Sequence, residues 1–440
     1  MIHKIKTYIF LTWAAAGFFS SATVKGQASD SDSLTLKSII SEVIENHPAV
    51  KKAMEDLRVS DAKIGISKSA KQVNVDFATS YSRMGPISSI SIPDMGTFSF
   101  MPHDNYSAAV NASKVLSDFG KTDKAIRLET ESKELAGQSV EQVKQKLSQV
   151  AIGTYYTMVY LQEAIKIKDE QLKTLNEHLR FVQKKQETGS ATKYEVLTTQ
   201  VKISTIENQK TDLMTALQIQ MCQLNMLLGK PESTSEKVKN EFHSSIPEFQ
   251  DDSLLNEAMR NRDEMKMARE KAKLAELKLD LTNSQNNPVI SGFLSGGVKN
   301  GYTPYLYDPK ANFVAGIGLK IPVFDGKRKE YNLSQAQSAI QMNNQDTEIT
   351  RRTIVDQVVE AEANLAASQK KINQSELQLH QAKQAYDLAK VSFDSGVITN
   401  LELIEGSTAV SESRLMVLKS KIDYVVNVYR LKWAIGERLY

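Results

Sequence analysis

A heptad seam that occurs twice, 207 positions apart, constrains this chain more than any other feature. In a late block Ile354, Val358, Ala361, Leu365, Ser368 and Ile372, then Leu379, Ala382, Tyr386, Ala389 and Phe393, keep a strict 4,3 rhythm. Stepping back 207 positions lands on Leu147, Ala151, Thr154, Met158, Leu161, Ile165, Leu172, Leu175, Leu179 and Val182. A period of 3.5 residues marks helix packed along helix, and repetition marks a duplicated unit. No proline falls between Pro102 and Pro231 or after Pro322, so nothing in either block stops a long helix. The repeat continues through 181–230 and 388–437, pairing Gly189 with Gly396, Thr192 with Thr399, Glu195 with Glu402, Leu224 with Leu431 and Gly229 with Gly436. Two matched helical hairpins follow. They turn at Glu187-Thr188-Gly189-Ser190 and Asp394-Ser395-Gly396-Val397, where glycine can close a helix in the left-handed conformation. The arm Lys121 to Gln186 has 66 residues, about 100 Å at ~1.5 Å per residue. Gly137 and Gly153 are its candidate bends.

Ahead of each hairpin the period falls to two. Val73, Val75, Phe77, Thr79 and Tyr81 alternate with Asn74, Asp76, Ala78, Ser80 and Ser82. Strand pairs are predicted at 73–84 with 105–116 and at 288–299 with 311–323, although glycines at 292, 296 and 297 weaken the alternation of the third strand. Each is near the ~9 to 11 residues that cross a bilayer obliquely, and Phe98, Phe100, Tyr302, Tyr305 and Tyr307 fall in the connections. The strands by themselves fit equally two soluble hairpins packed on helices. Four strands cannot close a barrel, which takes about eight, and an open edge in lipid leaves backbone groups unsatisfied. Insertion therefore requires several chains to share one barrel.

The first residues read as an export signal. Lys4 and Lys6 precede the apolar run Tyr8 to Phe19, and Gly26-Gln27-Ala28 offers a cut before Ser29. The run has 12 residues, short of the ~20 a spanning helix needs. The chain then divides into a signal peptide at 1–28, a first repeat at 29–250 with its hairpin at 121–229, and a second at 251–440 with its hairpin at 327–436. Three of the 55 basic residues precede the cut, leaving 52 to balance 52 acids, which argues against a nucleic-acid partner. The lone Cys222 can form neither a disulfide nor a cysteine metal site within one chain, and no cysteine follows the apolar run to carry a lipid. His3, His47, His103, His178, His243 and His380 show no ligand spacing, Gly316-x-Gly318 sits on a predicted strand, and the fourteen methionines are scattered as packing residues. No enzyme activity, metal or cofactor is expected.

With these elements in place the chain resembles the TolC family of outer-membrane efflux channels over nearly its whole mature length. LKSIISEVIENHPAV at 36–50 resembles the family's opening helix with its Asn-x-Pro turn, and Ile321-Pro322-Val323-Phe324-Asp325-Gly326 its passage from strand to second hairpin, with Leu116-Ser117-Asp118-Phe119-Gly120 at the equivalent place. The tips ETGSATKYEVL at 187–197 and DSGVITNLELI at 394–404 are similar to the family's Val-Gly-x-x-x-x-x-Asp-Val-Leu words. They depart from them at Glu195 and Glu402, where the family usually has Asp, and at Thr188 and Ser395, where Val precedes Gly. The resemblance implies an α+β membrane protein, a homotrimer whose strands form one 12-stranded β-barrel in outer-membrane lipid. A long α-helical periplasmic tunnel continues the barrel. It also implies a periplasmic adaptor and an inner-membrane pump as partners.

Two sets of residues are singled out. Glu402 and Glu405, three apart on one helical face, lie where the family narrows its tunnel, with Glu195 at the matching place in the first hairpin. In a trimer they would form acidic rings. The bland alternative is helix N-terminal charge, which the helix dipole favours on any solvated face. Gly189, Ser190, Gly396 and Val397, the points farthest from the strands, are expected to meet the adaptor. The function that follows is a passive exit duct for drugs or other small toxic molecules. Type I protein secretion is an alternative, and a periplasmic coiled-coil scaffold without a pore an alternative of another class.

Overall fold

The computed structural model describes residues 34–232, 234, 238–240 and 254–440. The signal peptide expected at 1–28 and most of the linker 231–252 lie outside them. Each repeat runs helix, helix, strand pair, long hairpin. The first comprises α1 (Leu36–Asn46), α2 (Pro48–Ser69), β1 (Asn74–Arg83), β2 (Ser89–Ile92), β3 (Gly96–Ser99), β4 (Asp104–Ser117), α3 (Lys121–Glu187) and α4 (Lys193–Leu228). The second comprises α5 (Leu254–Asn261), α6 (Asp263–Asn283), β5 (Val289–Lys299), β6 (Lys310–Lys320), α7 (Arg328–Asp394) and α8 (Asn400–Ala434).

The strands form one antiparallel sheet in the order β1-β4-β5-β6, with β1 and β6 at open edges. The expected strands shift slightly: Val73, Met84, Pro288 and Ile321 to Val323 fall outside them. β5 stays continuous through its glycines, and close approaches account for one of them and for one on β6. A Cβ on Gly297 would lie 2.2 Å from the Ala108 carbonyl oxygen, and one on Gly316 of β6 would lie 2.6 Å from the Phe293 ring that covers it. Register sorts the residues onto two faces. Phe77, Tyr81, Val110, Leu294, Val298, Phe313 and Ile317 share one. Asp76, Ser80, Ser107, Asn111, Ser295 and Asn312 share the other, where Asn111 donates to Asp76 at 2.9 Å and Ser295 to Asn111 at 2.7 Å.

The β1–β4 connection holds a feature absent from the expectation, the hairpin β2–β3. It pairs Ile90 with Phe98 on one face and Ser91 with Thr97 on the other, their hydroxyls 2.6 Å apart.

Both strand-to-helix corners are built alike. Phe119-Gly120 (φ 53° and 85°) and Gly326-Lys327 (φ 69° and 68°) each place two successive residues in the left-handed region. Asp118 and Asp325, 207 apart, cap the following turn: Asp118 accepts from the Thr122 backbone at 2.8 Å, Asp325 from Lys329 at 3.0 Å and Asn286 at 2.9 Å. Burial works to raise the Asp118 carboxyl, but the hydrogen bonds from Thr122 prevail and hold it below its ordinary value.

The helix α3 runs 67 residues without interruption past Gly137 and Gly153. The four long helices stand side by side as α4, α3, α8, α7, so α3 and α8 have partners on both flanks and α4 and α7 on one. That order explains how the two seams differ. Ala151, Met158, Leu175 and Val182 of the first are at most 2% exposed. In the second Ile354, Val358, Ala361 and Ser368 are buried, but Leu379 to Phe393 are only half so. The main core lies midway along the long helices, where Ile39, Ile40 and Val43 of α1 cover Tyr155, Met158 and Leu224. Leu34 bridges Val238 here, and Tyr155 donates to the Lys239 carbonyl at 2.5 Å.

The short helices meet at His47 and at Arg262. The His47 ring accepts from the Ala49 backbone at 3.1 Å, and Pro48 fills the first helical position, which needs no N–H. Asn261-Arg262-Asp263 takes the same place in the second repeat without a proline. The Arg262 guanidinium, 3% exposed, lies 4.0 Å over the Trp433 ring and donates to Gln357 at 2.7 Å and to the Ala434 carbonyl at 3.3 Å. Gly436 passes so close that a Cβ on it would sit 2.7 Å from the Arg262 nitrogen.

Candidate functional site

The two hairpin tips are near copies. At Gly189 (φ 73°) and Gly396 (φ 76°) the chain turns left-handed. The nitrogens of Ser190 and Val397 then reach back to the carbonyls of Lys185 and Ser392 at 2.8 and 2.9 Å. These are Schellman closures, which leave the side chains of Ser190 and Val397 free at the extremity; both are exposed. Two residues further Thr192 and Thr399 cap α4 and α8, each hydroxyl accepting from the residue three ahead, Glu195 or Glu402, at 3.3 Å.

From there the copies diverge. The Glu402 carboxylate reaches back to the Thr399 nitrogen at 2.6 Å and its hydroxyl at 2.8 Å, completing a capping box. These bonds, the backbone one foremost, hold the Glu402 carboxyl below its ordinary value, so it is charged at neutral pH. Glu195 makes no reciprocal bond and is half-buried. Glu405, one turn beyond Glu402, is exposed on the same side of α8. Glu402 thus has a capping task whether or not it also faces a constriction.

Sequence spacing did not reveal the residue that joins the tips. Asn400, 3% exposed, opens α8 where the first repeat has the exposed Lys193. Its amide nitrogen donates to Thr199 at 3.1 Å and to the Glu195 carbonyl at 3.3 Å, so its oxygen accepts from His178 Nε2 at 2.5 Å. Nearby the Lys185 ammonium sits 4.7 and 4.9 Å from the rings of Phe181 and Phe393, and His178 stands edge-on to Phe393 at 5.6 Å. The start of α8 and the end of α7 are thereby fastened to the first hairpin. The available signal was the break in repeat symmetry at Lys193 and Asn400.

A two-faced sheet, duplicated long hairpins and paired tips make up the fold of an outer-membrane efflux subunit. The family model for outer membrane efflux proteins matches residues 39–230 and 254–437, and the chain belongs to that family. It is similar to the outer membrane protein TolC of Vibrio cholerae, 26% identical over 28% of each chain. It is also similar to the alkaline protease secretion protein AprF of Pseudomonas aeruginosa, 20% identical over 66% of this chain and 62% of that one. These matches span less than two thirds of either relative. Among solved structures, the outer membrane protein VceC of Vibrio cholerae superposes with a TM-score of 0.76 at 18% identity, covering 92% of this chain and 97% of that one. The sheet therefore lies in the outer membrane with its apolar face to lipid, and the helices extend into the periplasm. Among the described residues no helix is long and apolar enough to cross a membrane.

Proposed function

We propose that three copies of this chain close one barrel and one tunnel, and that the assembly is the passive outer-membrane duct of a tripartite efflux system. The observation that carries this is a mismatch between repeat-equivalent positions. Ile404, where α8 meets α3, is 3% exposed, whereas its equivalent Leu197 on the free flank of α4 is 49% exposed; Ile152 on α3 is 2% exposed, and its equivalent Val359 on α7 is 54% exposed. The α3–α8 seam within a chain thus has a template for an α4–α7 seam between chains. The open edges of β1 and β6 call for the same closure. A scaffold without a pore has no use for the two-faced sheet.

The tips then dock a periplasmic adaptor through Ser190 and Val397 beside Gly189 and Gly396, an inner-membrane pump supplies the energy, and Glu402, Glu405 and Glu195 ring the periplasmic end. Small toxic molecules are the proposed cargo. The likeness to a protein named for alkaline protease secretion favours polypeptide export as the second reading. Leu197→Asp should prevent trimer formation and abolish conductance in planar bilayers, while an exposed polar control, Thr205→Asp, retains both. A Leu197→Asp protein that still forms conducting trimers would refute the assembly.

A further inference from the structure

The last rung of β5 and β6 sets Lys299 directly opposite Lys310, with Ser107 of β4 next in line. Like charges directly opposite on adjacent strands destabilise a sheet, so such a pair calls for an anion to offset it. Register assigns both lysines to the polar face, the one carrying Asn312, Ser295, Asn111 and Asp76. The acids nearby do not answer the charge. Asp104 falls on the apolar face, where it takes Tyr81 at 3.0 Å and Arg83 at 3.5 Å. Asp76 lies level with Ser295, four residues down the strand, about 13 Å away at ~3.3 Å per residue and beyond the ~8 Å Debye length of physiological salt. Asp94 and Asp308 occupy the outer connections and pair with neither lysine. The ammonium groups instead rest over aromatic rings, Lys299 over Tyr302 at 5.3 Å and Lys310 over Tyr305 at 5.6 Å.

The strands enter the helices at their other ends, so this rung marks the extracellular mouth, and its polar face is the bore. We propose that Lys299 and Lys310 form an anion-binding ring just inside the exit, two ammonium groups per chain, which takes soluble multivalent oxyanions such as the polyphosphate or polycarboxylate groups of cargo. The inference rests on the trimeric barrel proposed above. Bore-lined lysines with low-dielectric walls concentrate anions, and the exit carries the sign opposite to Glu402 and Glu405 at the other end.

The test is single-channel recording in phosphatidylcholine bilayers, with inorganic tripolyphosphate added on the extracellular side. The wild-type channel should be blocked at low salt and released at 1 M KCl. Lys299→Gln/Lys310→Gln should raise the half-blocking concentration at least about tenfold, and Lys299→Arg/Lys310→Arg should keep the block. If added lipopolysaccharide relieves the block by tripolyphosphate, the lysines are serving lipid phosphates and the ring is refuted. Block that survives the double Gln variant, or a conducting channel that is never blocked, refutes the ring alone. Trimers that conduct no ions refute the channel reading and the ring with it.

Discussion

Replacing Asn400 by alanine should loosen the second tip while leaving the rest of the tunnel intact. The side chain is buried and spends three hydrogen bonds on three residues of the first hairpin: His178 at 2.5 Å, Thr199 at 3.1 Å and the Glu195 carbonyl at 3.3 Å. Net contributions of such bonds run near 1 kcal/mol each, and the longest counts for little, so the truncation should cost about 2 kcal/mol of local stability. At ~1.4 kcal/mol per tenfold this is about a 30-fold rise in the opening equilibrium of the first turns of α8. Hydrogen exchange of residues 403–410, read under conditions where exchange tracks that equilibrium, measures it directly. The exposed repeat partner provides the control, because Lys193→Ala should change exchange in α4 by less than a factor of about two. His178→Ala should add little on the Asn400→Ala background, since the two share one bond. Unchanged exchange at 403–410 in Asn400→Ala, or fully additive effects with His178→Ala, would refute the latch.

Gly436→Ala should lower the thermal dissociation temperature of the assembly much more than Gly229→Ala: both glycines have positive φ (83° and 70°), but only at Gly436 does a Cβ meet backbone, at 2.7 Å. Glu402→Gln/Glu405→Gln should reduce cation selectivity and block by multivalent cations from the periplasmic side, with little change in assembly; an unaltered reversal potential would leave Glu402 as a cap alone. Because the folded Glu402 carboxyl lies below its ordinary 4.5, its stabilising effect is full above that value and is lost as pH falls through the depressed one. Hydrogen exchange at the α8 N-terminus should accordingly be flat from pH 7 to 5, after correction for intrinsic rates, and less protected only in stronger acid. Ser190→Arg or Val397→Arg should abolish efflux in susceptibility assays without reducing trimer abundance, and unchanged resistance in both variants would remove the tips as the docking surface.

The long elements were legible because periodicity is a property of single segments. The expected arm 121–186 ends one residue before α3 does, and the alternation at 73–84 brackets β1 within a residue at each end. Three features were not read, each for a physical reason. The ribbon β2–β3 has four-residue strands, SISI and GTFS, too short for a period to stand out, and it turns at Asp94 in the left-handed region. Asn261-Arg262-Asp263 escaped because the cue in the first repeat was Pro48, whereas here the turn is held by a guanidinium against an indole 171 positions away. Asn400 escaped because spacing along one helix says nothing of which other helices it will touch.

The order α4, α3, α8, α7 has a consequence for biogenesis. On the trimeric reading, half of the seams between hairpins are closed by the chain on itself and half only by collision with another copy. A defect at the α3–α8 seam should therefore act at any protein concentration, while a defect at the α4–α7 seam should weaken as expression rises, by mass action. Before it meets its partners, each new chain carries two bare strand edges and the exposed Leu197 and Val359. That makes the unassembled subunit the aggregation-prone species, and the step most dependent on periplasmic holding factors.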